Sequence, residues 1–388
     1  MGKKRLLIII VLFVLAAVIT IIGIDFARES ARPVVAPGLE PQAPDTVNLV
    51  AVQVRFEPAS YFSEEAFRSL IRESMEQAAA ETQLGRDTLV VFPEDIGLLT
   101  VLFGKKDILS EAQHLGEGIE NVIQGNLLSV GYQKIRRRVS WPRALFLAHQ
   151  DAMARAYFDV FSDMAREHDV YLVAGTGGFT DGVMARYVPR DVPGAPTRSE
   201  ARNFSDIYNA SVVFGPDGDV LGVQRKVYLI ELEGPTGLDI EPAPLDRLEV
   251  IPTSLGTLGI AICLDGFRDD VLDHLSARGA QILIQPSANP GPWDPDQQEG
   301  WLMSSWRAVA EDQTFVYAIN PMLAGDILDL GFFGQSSIVA LPHLADEMIP
   351  QQIGYSDLTA RPGFLTIADD DENFYIVHFR VPHPDSVR

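Results

Sequence analysis

Cysteine is almost absent: Cys263 is the only one in 388 residues, so no disulfide within the chain braces the fold. Histidine is sparse, and none of the seven forms the His-Glu-x-x-His pair of a zinc protease. There is no Gly-x-Ser-x-Gly turn to expose a serine nucleophile and no Walker loop to cradle phosphates. Gly175-Thr176-Gly177-Gly178 lacks the third glycine of a dinucleotide fingerprint and reads as a turn lining a pocket. Positive charge is short as well. With 31 Lys and Arg against 53 Asp and Glu, the net charge of −22 repels phosphate backbones, which argues against nucleic acid as a partner. At 47% hydrophobic and 22% charged, the composition is that of a globular chain.

The N-terminus is apolar after a basic tip. Met1-Gly2-Lys3-Lys4-Arg5 precedes the uncharged run Leu6 to Ile24, which at about 1.5 Å per residue just spans a hydrocarbon core of about 30 Å. This predicts a cytoplasmic tip and transmembrane anchor over 1–24, with the rest of the chain outside the cytoplasm. A cleaved signal peptide is the competing reading. The run exceeds the usual h-region, and no small-x-small site ends it. Residues 25–46 are rich in proline and form a linker. The folded domain is expected over 47–388.

Within it, Phe67, Leu70, Ile71, Met75 and Ala78 recur at helical spacing after Ser63, a candidate N-cap. Gly215-Pro216-Asp217-Gly218 between two β-rich runs predicts a hairpin. A helix is expected over Gln297 to Asp312. Strands alternate with helices, which argues an α/β sheet protein. Residues 95–146 break the pattern with short apolar pieces and a basic cluster around Trp141 (Lys134, Arg136, Arg137, Arg138, Arg143), regular helix resuming near Ala148. The segment reads as a lid on the pocket, a basic-aromatic patch against anionic headgroups, or a peripheral packing element.

Three residues in this setting carry chemistry. Thr257 to Ile262 reads as a buried strand ending at Cys263, with a helix expected from Asp269 to Ala277. Such a strand-to-helix junction aims backbone N–H groups at the side chain, which favours a thiolate and can hold an oxyanion. Glu94 ends the apolar strand Leu89 to Phe92, and Lys226 ends another extended run. Read singly, Cys263 is a small packed hydrophobe, Glu94 a surface carboxylate and Lys226 a solvated lysine.

Together, Glu, Lys and Cys at three strand ends in this order resemble the nitrilase superfamily of carbon–nitrogen hydrolases. Fragments from Val47 to about residue 340 extend the resemblance, among them Tyr208-Asn209-Ala210-Ser211, Gln285-Pro286-Ser287-Ala288 and Gly334-Gln335-Ser336-Ser337. The resemblance implies an α-β-β-α four-layer sandwich in which 95–146 is an insertion. It implies Cys263 as nucleophile, Glu94 as proton shuttle, and Lys226 with the Leu264 N–H on the oxyanion. No metal or organic cofactor is required. Glu233 is the implied second carboxylate, with Glu231 the other candidate; Tyr228, where many relatives carry His, and Asn289 are possible pocket residues. Asp265 is expected to cap the following turn, and Arg307 and Glu311 to form a structural pair. The implied activity is hydrolysis of a non-peptide C–N bond in a small amide through an acyl-thioester, in a homo-oligomer, expected here as a dimer. Acyl transfer, as in the apolipoprotein N-acyltransferase branch, and a catalytically silent dimerising scaffold are the alternatives.

Overall fold

The computed structural model describes residues 43–106 and 112–387. The expected anchor at 1–24 and most of the 25–46 linker lie outside the described residues. Among those described, no helix is long and apolar enough to cross a membrane.

In chain order the elements begin with strand β1 (Thr46–Arg55), helix α1 (Glu64–Glu81), β2 (Thr88–Val91), α2 (Leu115–Gly125), α3 (Leu127–Arg137) and α4 (Trp141–His168). Next come β3 (Tyr171–Val173), β4 (Gly177–Thr180), the single turn α5 (Asp181–Met184), and the hairpin β5 (Ile207–Phe214) and β6 (Val220–Arg225). The second half runs β7 (Ile251–Thr253), β8 (Gly256–Ile260), α6 (Asp269–Ala277), β9 (Ile282–Ile284), β10 (Ser287–Ala288), α7 (Pro295–Trp301) and α8 (Ser305–Ala310). It closes with β11 (Tyr317–Asn320), β12 (Met322–Ile327), β13 (Leu330–Phe332), β14 (Ser337–Ala340), α9 (Pro342–Met348), β15 (Phe364–Ile367) and β16 (Tyr375–Pro382).

The strands form two sheets. A ten-stranded sheet is ordered β10-β12-β1-β2-β3-β5-β4, with β13, β16 and β6 attached at its sides; a six-stranded sheet is ordered β15-β14-β11-β9-β8-β7. Strand β1 shows why they stack. Its side chains alternate, and both faces are apolar: Val47, Leu49 and Ala51 join the cluster shared with Ile260, Ile284 and Ile319 of the smaller sheet. Val50, Val52 and Val54 face the other way, into the cluster with Phe67 and Met75 of α1 and Phe161 of α4. A strand buried on both faces must be covered twice, by a sheet and by helices, which gives the layered sandwich.

Local signals hold where the sequence is periodic. Ser63 caps α1, its hydroxyl accepting from the Ala66 N–H at 3.1 Å. The β5–β6 hairpin closes with the Gly218 N–H donating to the Gly215 carbonyl at 2.8 Å. Other expectations are corrected. Helix α4 starts at Trp141 rather than near Ala148, because Ser140 caps it through the Arg143 N–H at 3.2 Å and Pro142 suits the first turn. The helix expected over Gln297 to Asp312 is two helices. The Ser305 N–H is spent on the Gln285 side chain at 3.2 Å rather than on a helix carbonyl. Gly177 and Gly178 are not in a turn but in β4, paired with Ala210 and Asn209.

The segment over 95–146 is mostly helical. Helix α3 leaves Leu128 (93%) and Ile135 (81%) to solvent. Its basic cluster is not one solvated patch, however. Arg143 is buried and bonds Asp239 at 2.8 Å, Glu241 at 3.0 Å and Asp206 at 3.2 Å, which ties α4 to the loop after Lys226. Lys134 lies over the Trp141 ring.

Candidate active site

Glu94, Lys226 and Cys263, distant in sequence, meet at the C-terminal ends of three strands. The Lys226 ammonium sits between two carboxylates, 2.6 Å from Glu94 Oε1 and 2.7 Å from Glu233 Oε2. The Asn209 amide donates to both, at 2.9 Å to Glu94 and 2.8 Å to Glu233. The Cys263 thiol lies beside Glu94 and the Ala288 N–H, which also reaches Glu94 Oε2 at 3.2 Å. All four titratable groups are buried, Lys226 to 1% exposure. Such charges are tolerable inside a protein only when paired and hydrogen-bonded, and each is.

The backbone around each residue is built for this. Cys263 has φ +47, a left-handed conformation unusual for a residue with a Cβ, at the head of a short turn over Cys263–Phe267. The Cys263 N–H donates to the Pro286 carbonyl at 2.9 Å, and the Gln285 amide donates to the Cys263 carbonyl at 3.0 Å. The turn lies so close to Gln285 that a Cβ on Gly266 would fall 2.5 Å from its amide, so glycine is required there. The first N–H groups of a helical turn have no partner inside it, which leaves the Leu264 N–H available to an oxyanion. Asp265 does not cap that turn. Its carboxylate accepts from the Val227 and Tyr228 N–H groups, at 3.1 Å and 2.7 Å, and so locks the cysteine turn to the lysine loop.

Burial sets the protonation states. It pushes the Cys263 thiol well above its ordinary value, and the Glu94 carboxylate adds to the effect. The thiolate expected at a strand-to-helix junction is therefore not the resting form; the field of one lysine does not outweigh desolvation and two carboxylates. Glu94 is likewise raised by burial, against the pull of Lys226. For Lys226, burial acts to lower, but Glu94 and its neighbours overcome it and hold the ammonium charged well above the usual range. The site is thus poised with a neutral thiol beside a carboxylate that can take its proton, and with a fixed cation alongside. Among the described residues, no group of three or more His, Cys, Asp or Glu is arranged to hold a metal.

Glu233, not the exposed Glu231, supplies the second carboxylate. The Tyr228 hydroxyl bonds Asp270 and its ring lies under Arg268 at 4.3 Å, so its polar end is engaged at the rim of α6. The Asn289 side chain donates to the Gly291 and Phe333 carbonyls, at 3.2 Å and 3.0 Å, and accepts from Gln297 at 2.9 Å, which shapes the loop after β10. Arg307 bonds Asp269 and Asp312, not Glu311. Asn209 and Gln285 were not singled out as site residues. The available signal was a lone amide in an otherwise apolar strand, Asn209 in Ile207–Phe214, and a Gln directly after the run Ile282–Ile284.

The sequence profile of the family described as carbon-nitrogen hydrolase matches residues 51–342, most of the chain and all of the cluster above. The chain belongs to the carbon–nitrogen hydrolase family. Curated relatives include the human omega-amidase NIT2, 25% identical over 169 residues (41% of this chain and 50% of that protein). The omega-amidase NIT3 of Saccharomyces cerevisiae is 34% identical over 125 residues, 30% of this chain and 40% of that one. This carbon–nitrogen hydrolase thus spans about half the length of the curated relatives it matches. Its fold is similar to a solved carbon-nitrogen hydrolase from Helicobacter pylori G27, with TM-score 0.52, 18% identity, and coverage of 89% of this chain and 92% of that one. It is also similar to an amidase from Nesterenkonia sp. AN1 solved in complex with acrylamide, with TM-score 0.51, 16% identity, and coverage of 90% and 97%.

Proposed function

We propose that this carbon–nitrogen hydrolase is a thiol amidohydrolase that cleaves a non-peptide amide through an acyl-thioester on Cys263, without a metal or organic cofactor. The observation that carries this reading is the Lys226 ammonium clamped at 2.6 Å and 2.7 Å between Glu94 and Glu233, with the thiol beside Glu94. As Sγ attacks the carbonyl carbon, its proton passes to Glu94 and the C=O π pair moves to oxygen, where Lys226 and the Leu264 N–H stabilise it. Collapse of this intermediate breaks the C–N bond, and Glu94 returns the proton to the departing nitrogen. Water, deprotonated by Glu94, then attacks the thioester; the carboxylic acid leaves and the thiol is restored. Glu233 and Asn209 position Lys226 and Glu94. A thiol that ionises only during attack is also less exposed to oxidation, since thiolate character sets susceptibility.

The reading includes anchoring through Leu6 to Ile24, with the domain outside the cytoplasm as a dimer. The basic tip and apolar run support the anchor. Membrane fractionation and protease access in intact cells test it, and release of the chain by salt washing would refute it. For the chemistry, the purified protein is incubated with simple primary amides while ammonia release and intact mass are followed. Ammonia release, with an acyl mass increment on Cys263 that is lost in Cys263→Ala, supports hydrolysis. Equal release by Cys263→Ala refutes it. An adduct that turns over only when an amine acceptor is added favours acyl transfer instead.

A further inference from the structure

Beside the catalytic cluster lie two adjoining apolar spaces that the chemistry above does not use. The inner one has a volume of about 100 Å³ and is walled by Leu98, Leu102, Val122, Leu145 and Phe146, with Asp95 the one polar side chain in its described wall. The outer one is an open groove of about 650 Å³ passing Ile123, Leu127 and Trp141. Leu115, Ile119, Pro142, Leu232 and Leu238 line both, so a single set of side chains separates groove from cavity. Much of the wall comes from α2 and the start of α4, within the unusual 95–146 segment.

The inner space reaches the cluster through Asp95, which follows Glu94 in sequence and lies within the field of Glu94, Glu233 and Lys226. Leu232, which precedes Glu233, is also in its wall; Glu94, Lys226, Glu233 and Cys263 themselves do not line it. Asp95 sits in the left-handed region at φ +64, fixed by its N–H donating to Thr176 Oγ1 at 2.8 Å. Its Oδ1 is shielded from solvent and has no hydrogen-bond partner among the described residues. Neither space has a Lys, Arg or His among its described lining residues, and the groove adds Glu120. An anionic substituent would meet hydrocarbon there and no cation to pair with it. An apolar cavity of this order stays dry and accepts hydrocarbon.

Resting on the amidohydrolase reading, we propose that the substrate amide carries an uncharged hydrocarbon substituent that fills the inner cavity and, when longer, passes Ile119 into the groove beside Trp141. The substituent is seated by α2 and α4 while the amide carbon faces Cys263. Asp95 marks the polar boundary between the two.

The full-length protein tests this with unbranched primary amides from acetamide to octanamide, the matching N-alkylacetamides, and amides of equal length ending in a carboxylate. Burial of each methylene predicts about a fourfold gain in kcat/KM per added carbon in one of the two uncharged series until the inner space is full. The carboxylate-ended amides should fall below their uncharged counterparts. Ile119→Trp, which fills the shared wall, should abolish the gain, and the milder Ile119→Ala should retain it. A flat dependence on length in both series, or a preference for the carboxylate-ended amides, overturns the proposal. Calorimetric binding of the same amides to Cys263→Ala separates the two readings. Affinity that rises with length without turnover in the native protein removes the hydrolytic step and keeps the cavity; affinity independent of length removes the cavity assignment even if hydrolysis is observed.

Discussion

Two regions that share a boundary handle burial in opposite ways. Around Lys226, ionic groups are taken out of water and every one is paired: ammonium with two carboxylates, and those carboxylates with Asn209 and the Ala288 N–H. Across Asp95, the cavity under α2 is walled by aliphatic and aromatic side chains. The first region depends on direction and distance, so almost any change in it breaks a charge pair. The second depends on volume, so its walls can be exchanged at modest cost. On the proposed function, reaction chemistry belongs to the first and choice of substrate to the second.

Removing the nucleophile should separate them most sharply. Cys263→Ala is expected to lower amide turnover by on the order of 10⁶ while leaving binding in the cavity intact, as read by ammonia release and calorimetry. A fall of less than tenfold would detach the polar cluster from the chemistry.

Next in size is the loss of the clamped cation. Lys226→Met leaves Glu94 and Glu233 facing each other without their partner, which should cost about 3–5 kcal/mol of stability at neutral pH, read from urea unfolding. A substitution that unfolds no more easily than the native chain would mean that the carboxylates are not held as ions.

A smaller effect is expected from Asn209→Ala, which removes a donor from both carboxylates and should cost about 1–3 kcal/mol. Because burial already raises Glu94, the acid limb of kcat/KM should lie above the ordinary glutamate value of about 4.3. Loss of a hydrogen bond to the charged form raises a carboxyl group further, so Asn209→Ala should move that limb to higher pH. A limb that stays in place would make Asn209 merely structural.

Asp265 offers a gentler test on the polar side. Burial pushes its carboxyl up to about 7, so the folded chain holds a proton between about 3.9 and 7 that the unfolded chain has lost. Stability contributed by this group is therefore present at low pH and falls as pH rises through that window. Urea midpoints at a series of pH values should show the fall, and Asp265→Asn should flatten it; an unchanged slope would exclude Asp265 as its source. The least effect belongs to the outer surface of the apolar side. Ile135→Lys, at a residue 81% exposed, should alter stability by no more than about 0.5 kcal/mol. A larger loss in thermal denaturation would show that this face is covered.

The legible parts of the chain were those in which a local pattern repeats. The helix after Ser63, its Ser63 cap and the Gly215–Gly218 hairpin follow from spacing and turn chemistry. The α4 start was a local cap left unread, whereas two other failures were set by distant partners. The helix expected over Gln297 to Asp312 is interrupted where the Ser305 N–H goes to Gln285, and Arg307 turns to Asp269 on α6 rather than to Glu311 one turn away. Asn209 stood in the fragment Tyr208-Asn209-Ala210-Ser211 with no role assigned, and its place appears once its amide reaches two carboxylates.

By itself the sequence determined the residue types the proposed chemistry requires and their places at strand ends, because these depend on neighbours along the chain. Tertiary structure alone decided the direction in which burial and neighbouring charge shift those groups, and the apolar space beside them. Desolvation and the field of other charges depend on what lies within a few ångströms in space, and in this chain those neighbours come from segments far apart in sequence.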